Sequence, residues 1–224
     1  MSTARFAPQA ILFDLDGTLL DTIADLVTAS NLMLIDLGRP TRPQAQIHSF
    51  VGKGVANLVG RCLTEGGPPV TDAELTLALE VFCRHYTRVN GQITRPYPGV
   101  PELLAQLAAR KLKMAIVTNK ATAFTLPLLE QFELAHYFSA VVCGDTLPIR
   151  KPDPAVIDHT CARLGVKPAE ALMIGDSAND ALAARGAGAP VLLVSYGYSE
   201  GMAVDSIECD GLLSNALQVL DYLA

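Results

Sequence analysis

The sequence predicts an α/β fold, a parallel sheet covered on both faces, with an all-helical stretch inserted after the first strand. From residue 100 onward, short apolar runs alternate with stretches of helical periodicity, the pattern that builds parallel sheets. Residues 20–90 carry helical periodicity and no strand-like run. Each apolar run stops abruptly at an acid, a hydroxyl or a glycine, the residues that open strand-end loops.

The first run, Ile11-Leu12-Phe13, is a short strand buried on both faces and meets Asp14-Leu15-Asp16-Gly17. Asp14 thereby falls at the carboxyl edge of the strand, where open α/β sheets place their ligands. Gly17 lets the chain turn sharply away without a Cβ penalty. Two carboxylates this close resist joint ionisation unless a cation is supplied, so the motif asks for a metal. Asp also favours turns for its own reasons, which is the plainer reading of the pair taken alone. A calcium loop is excluded, because Leu19 stands where such a loop needs glycine and no Glu closes it.

Thr22 with Asp25 reads as a weak capping-box start to a helix whose face carries Ile23, Leu26, Ser30, Met33, Leu34 and Leu37, ended by Gly38. Pro40 and Pro43 punctuate the gap to a short amphipathic piece at residues 44–50. After Val51-Gly52-Lys53-Gly54 another helix runs through Ala56, Leu58, Val59 and Leu63, and Gly66-Gly67-Pro68-Pro69 breaks the chain. Thr71 and Glu74 form a full capping box for a helix carrying Leu75, Leu79, Phe82, Tyr86 and Val89, ending at Gly91. Tyr97-Pro98-Gly99-Val100 is a linker, followed by a helix through Leu103, Leu104 and Leu107. Strands are expected at residues 114–117, 140–143, 171–174 and 191–194, separated by helices, with a terminal helix over residues 212–223. The expected division is a core of residues 1–19 and 92–224 and a helical unit of residues 20–91, joined by hinge strands at 20, 21 and 91–97.

At 224 residues the chain suits one core domain plus an insertion, and half of its residues are hydrophobic, ample for a sizeable core. A net charge of −6 without a basic stripe disfavours nucleic acid as a partner. The five cysteines are odd in number and show no Cys-x-x-Cys pair, as expected of reduced core residues in a cytoplasmic protein. No stretch approaches the ~18 consecutive apolar residues of a membrane helix, so no membrane partner is expected. A monomer or a homodimer is expected.

The strand ends carry Asp14 and Asp16, Thr118 and Asn119, and Asp176 with Asp180, while Lys151 lies in the loop Lys151-Pro152-Asp153-Pro154. In a parallel sheet these ends share one edge, so residues far apart in sequence can converge. Four acids, one lysine and one hydroxyl would make a strongly negative pocket suited to a divalent cation with oxygen ligands, and few carboxylates with retained waters favour Mg²⁺. His85, His48 and Tyr86 lie on helices and read as packing or surface residues. His136 and His159 show no metal-ligand spacing.

Asp14-Leu15-Asp16-Gly17-Thr18, Thr118, Lys151 and Gly175-Asp176-Ser177-Ala178-Asn179-Asp180 resemble, in order and spacing, the four motifs of the haloacid dehalogenase-like hydrolases. The likeness covers almost the whole chain and implies a Rossmann-like core with a four-helix cap that closes over the site and chooses the substrate. It also implies that Asp14 is the nucleophile and that Asp16 acts first as acid and then as base. Thr118, with Asn119 beside it, would bind phosphate, and Lys151 would neutralise charge. Mg²⁺ would be held by Asp14, the backbone carbonyl of Asp16 and Asp176, with Asp180 supporting its waters. The dehalogenases that name the family lack an acid at the place of Asp16, so the resemblance points to a phosphatase. Gly52-Lys53-Gly54 is the candidate cap contact with substrate, since glycines allow close backbone approach and a lysine suits an anion. A plain interhelical turn with a solvated lysine is the alternative.

Val51-Gly52-Lys53-Gly54, Gly144-Asp145-Thr146-Leu147-Pro148 and Ser195-Tyr196-Gly197-Tyr198 look like bacterial phosphoglycolate phosphatases, although Lys53 departs from the asparagine expected in that loop. The resemblance implies 2-phosphoglycolate as substrate. Phosphatases of phosphosugars, amino-sugar phosphates or pyrophosphate would use the same core. A sugar-phosphate mutase and a non-enzymatic phosphate-binding module are the readings from other classes, and the module predicts a lost acid or lysine that this chain retains.

Overall fold

The computed structural model describes residues 5–64 and 69–224, so the Gly66-Gly67-Pro68 part of the expected chain break lies outside the described residues. Strand β1 (Ala10–Phe13) leads through the two-residue β2 (Leu20–Asp21) into helices α1 (Ile23–Asp36), α2 (Gln44–His48), α3 (Val55–Thr64) and α4 (Asp72–Val89). The chain returns through β3 (Arg95–Pro96) and then alternates. Helix α5 (Val100–Ala109) precedes β4 (Lys113–Val117), α6 (Thr122–Gln131) precedes β5 (Ala140–Val142), and α7 (Ala155–Leu164) precedes β6 (Ala171–Gly175). Helix α8 (Ala178–Gly186), β7 (Val191–Val194) and β8 (Gly211–Leu213) complete the run.

Six strands form one sheet in the order β5-β4-β1-β6-β7-β8, and every neighbouring pair is parallel. The α/β class is as expected. Successive strands step outward from β1 to β5 on one side, then β6 to β8 fill the other. The direction of winding therefore reverses between β1 and β6, the point where such sheets open a crevice at their carboxyl ends. Register fixes what meets there: Phe13 lies opposite Ile116 on one side and Ile174 on the other, so the residues that follow emerge level.

Strand residues alternate between two apolar layers, as a sheet covered on both faces requires. Ile11, Phe13, Met114, Ile116, Leu172 and Ile174 pack with Leu103, Leu104 and Leu107 of α5 on one face. Leu12, Ala115, Val117 and Met173 pack with Ile157 and Cys161 of α7 and Ala184 of α8 on the other. The helical segment has a third core of its own, where Met33, Leu34, Phe50, Val59, Cys62, Phe82 and Tyr86 meet. Phe124 of α6 and Tyr198 also reach into it. Cys62, Cys143 and Cys161 are buried, and all five cysteines are free thiols.

Two expectations need correction. The terminal helix over residues 212–223 does not form. Gly211–Leu213 instead adds a sixth strand beside β7, with Leu193 opposite Leu212, and a 3-10 turn follows at Ala216–Tyr222. Leu213, Ala216 and Val219 are buried at a spacing close to three, which a 3-10 turn satisfies as well as an α-helix does. The second correction concerns Thr22 and Asp25, which form no capping box. Thr22 has φ −104° and ψ 0° instead of the extended backbone of a capping residue, and its side chain does not cap the helix. Asp25 is buried, and its carboxylate accepts hydrogen bonds from the backbone N–H groups of Gly91, Ile93 and Thr94 and from the Thr94 hydroxyl. It ties the outgoing and returning connections together beside the antiparallel β2–β3 pair. The Thr71–Glu74 capping box is present as expected.

Candidate active site

Asp14 and Asp16 leave the end of β1, Thr118 and Asn119 the end of β4, and Asp176 the end of β6. Asp180 is set one turn into α8, and Lys151 arrives from the loop before α7. Gly17 adopts φ +83°, and a Cβ there would run into the Asp176 carboxylate, so glycine is required both for the turn and for the approach of the two loops.

The buried Lys151 ammonium lies 3.0 Å from Asp14 Oδ1 and 2.7 Å from Asp180 Oδ1. The other oxygen of Asp180 accepts from the backbone N–H groups of Asp176 and Ser177 and from the Ser177 hydroxyl, which pins α8 to the strand end. Asp176 Oδ2 accepts from the Tyr198 N–H at 2.6 Å. Carboxylate oxygens of Asp14, Asp176 and Asp180 lie within 4.8 Å of one another, a group able to hold a metal ion.

The electrostatics of this cluster follow from crowding in a dry place. Burial pushes the Asp14 carboxyl up to about 7, with Lys151 pulling against it and Asp180 and Asp16 adding to the rise. Asp176 is raised well above the usual carboxylate range by burial first and then by Asp180 and Asp14. Burial opposes the charge on Lys151, but Asp14 and Asp180 outweigh it and hold the ammonium more firmly than usual. One lysine does not balance three buried acids. The all-oxygen donor set and its surplus negative charge fit a hard divalent cation.

Asp16 lies apart from this cluster. Its carboxylate is held by the Lys120 ammonium at 3.0 and 3.2 Å and by the Thr22 hydroxyl at 2.7 Å. Thr118 is buried, lines the central cavity and accepts from the Lys120 N–H. Both side-chain N–H bonds of Asn119 go to backbone carbonyls, those of Gly52 and Lys151. In this arrangement the Asn119 side chain fastens the helical segment to the sheet edge instead of offering its amide to an anion.

The cavity lies between the helical segment and the strand ends, with about 40 Å³ of free interior. Its floor holds Asp14, Asp16, Thr118, Lys120 and Asp176, and its roof holds Leu26, Val51, Val55, Leu58 and Tyr86. Gly52 and Gly54 line it, whereas Lys53 is exposed and is not among its lining residues. A buried cation, Lys120, lines the cavity, and sequence reasoning passed over it. The available signal was its place directly after Thr118-Asn119 at a strand end. Tyr86, expected only to pack, also lines the cavity. His85 pairs with Asp36 at the surface, and His48 packs edge-on against Tyr198.

Among the described residues no helix is long and apolar enough to cross a membrane. Comparison with known proteins agrees with the geometry. A phosphoglycolate phosphatase of Nitrosospira multiformis is 48% identical over 207 residues, covering 92% of this chain and 91% of that protein. One from Thiobacillus denitrificans is 45% identical over 206 residues, with 92% and 91% covered. A crystal structure described as a predicted phosphoglycolate phosphatase from Haemophilus somnus 129pt superposes with a TM-score of 0.91 at 32% identity, covering 95% of this chain and 96% of that one. The family model for haloacid dehalogenase-like hydrolases matches residues 11–194. With its acids, lysine and hydroxyl gathered at the crevice of a parallel sheet, the chain belongs to the haloacid dehalogenase-like hydrolases.

Proposed function

We propose that this protein is a Mg²⁺-dependent phosphomonoesterase that hydrolyses 2-phosphoglycolate to glycolate and phosphate through an aspartyl phosphate. The observation that carries the proposal is the meeting of Asp14, Thr118 and Asp176 at one cavity, with Lys151 paired to Asp14. The choice of 2-phosphoglycolate among small phosphate esters is supported by the relatives named phosphoglycolate phosphatase.

Asp14 attacks phosphorus as its carboxylate, forming a new P–O bond while the bond to the glycolate oxygen breaks and its electron pair stays with that oxygen. Asp16 supplies the proton that turns the departing alkoxide into an alcohol. It then takes a proton from the water that attacks the acyl phosphate, which restores Asp14 and releases phosphate. Lys151 neutralises charge on Asp14 and on the transferring group, and Thr118 offers its hydroxyl to a phosphoryl oxygen. Asp14, Asp176 and the Asp16 carbonyl would hold Mg²⁺, with Asp180 behind them. The ion supplies charge neutralisation for the phosphoryl oxygens when bound. Residues 20–91 serve as a lid over the core of residues 1–19 and 92–224, excluding bulk water from the acyl phosphate. The protein acts in the cytoplasm on a free small molecule, as a monomer or a homodimer.

Phosphate release from 2-phosphoglycolate, phosphosugars, amino-sugar phosphates and pyrophosphate, with Mg²⁺ and with chelator, tests this. Expected are Mg²⁺-dependent release with the highest kcat/KM for 2-phosphoglycolate, and loss of turnover in Asp14→Asn. Parent-like turnover in Asp14→Asn would remove the nucleophile assignment, and a phosphosugar with the higher kcat/KM would remove the substrate assignment alone.

A further inference from the structure

Lys120 is a buried cation that the steps above do not use. It follows Thr118 and Asn119 at the end of β4, and its ammonium is bonded to Asp16 and Tyr86. The Nζ donates to both oxygens of Asp16 and, at 2.6 Å, to the hydroxyl of Tyr86 on α4. It also lies 4.8 Å from the centre of the Tyr86 ring. The Lys120 side chain is 2% exposed. Burial and the neighbouring Lys120 push the Tyr86 phenol in opposite directions, burial prevails, and the hydroxyl rises to about 12 and stays neutral. A charged group this far from water is retained only where its partners are fixed. The bridge joins three places: Asp16 in the loop after β1, Lys120 itself after β4, and Tyr86 in the helical segment.

We propose that Lys120 is a positioning residue for the acid–base group: it sets the Asp16 carboxylate, and its bond to Tyr86 makes that setting depend on the seating of α4 over the site. This rests on the phosphatase reading above and deepens it. Asp16 has one oxygen shared between Lys120 and Thr22 and the other held by Lys120 alone, so removing Lys120 frees the carboxylate to rotate. A misplacement of about 1 Å costs on the order of 10²-fold in rate, within the range of an acid–base contribution. The same bridge gives the helical segment a direct part in assembling the site.

The test uses two esters that differ in their need for an acid. Glycolate leaves as a basic alkoxide that must be protonated, whereas 4-nitrophenolate leaves without a proton. Formation of the acyl phosphate from 4-nitrophenyl phosphate therefore bypasses Asp16, while its hydrolysis still needs Asp16 as base. For Lys120→Met we expect kcat on 2-phosphoglycolate to fall by about 10²-fold with KM nearly unchanged. With 4-nitrophenyl phosphate we expect a burst of one nitrophenolate per site at the parent rate, then slow turnover. Tyr86→Phe, which removes a single hydroxyl, should show the same pattern with a fall of about fivefold. Loss of the burst in both variants would show a general structural role, and a raised KM at parent kcat would make Lys120 a substrate contact. Parent-like kinetics in both variants would show no role, and each of these three results overturns the proposal. If the parent protein turns over 4-nitrophenyl phosphate but not 2-phosphoglycolate, the substrate reading fails while the burst still decides the inference. A parent protein that hydrolyses neither ester removes both.

Discussion

At the residue scale the site is governed by how many buried charges share too few counter-charges. Lys151 lies buried between Asp14 and Asp180. Removing one partner of a buried ion pair costs roughly 3–5 kcal/mol, so Lys151→Met should lose about 3 kcal/mol of stability in chelator and recover part of it with Mg²⁺. Urea melts under both conditions measure this. A pH dependence follows from the same crowding. Burial raises the Asp14 carboxyl from an ordinary carboxylate's 3.8 to about 7 in the fold, so between these values the folded chain binds the proton that the unfolded chain has lost. The group's contribution to stability without metal therefore falls as pH rises from about 4 to about 7, and Asp176 adds in the same direction. A cation offsets the penalty where the acids are ionised, so the rise in Tm on adding Mg²⁺ should be larger at pH 8 than at pH 5. An equal rise at both would show that these acids do not hold the ion.

At the element scale two similar sequence patterns have different consequences. The Thr71 hydroxyl accepts from the Glu74 N–H, and Glu74 accepts from the Thr71 N–H, on the exposed start of α4. Thr71→Ala should cost about 1 kcal/mol in a urea melt and leave kcat unchanged. Thr22 and Asp25 have the same spacing, but Asp25 is buried against the returning connection and satisfies three backbone N–H groups and a hydroxyl there. Asp25→Ala strands those donors and should cost about 2–3 kcal/mol, with kcat falling as β2 and β3 loosen. Spacing alone does not separate the two patterns. What separates them is whether the helix start faces water or another segment.

At the scale of the whole molecule the site exists because two packed bodies of side chains meet over one sheet edge. The Gly52 carbonyl accepts from Asn119 and Asn179, the Asn90 amide donates to the Phe124 carbonyl, and Tyr86 accepts from Lys120. These contacts close the chamber whose roof includes Leu58. Leu58→Ala should enlarge the chamber, cost about 2–5 kcal/mol of stability and raise kcat/KM for a phosphosugar relative to 2-phosphoglycolate. An unchanged ratio in a folded variant would show that the roof does not sort substrates by size.

The sequence by itself determined the α/β class, the helical insertion and the positions of Asp14, Asp16, Thr118, Lys151, Asp176 and Asp180 at strand ends and in one loop. Those features are local: apolar period, turn chemistry and the common edge of a parallel sheet place them without knowledge of distant neighbours. Only the tertiary structure decided that Lys120 lines the cavity while Lys53 is exposed, and that Asn119 fastens the helical segment. It alone decided that Asp25 clasps the hinge and that residues 211–213 pair as a strand. Each of these depends on which surface packs against a segment far away in the chain, and that choice is made by burial and hydrogen-bond satisfaction across the assembled fold, which no local pattern encodes.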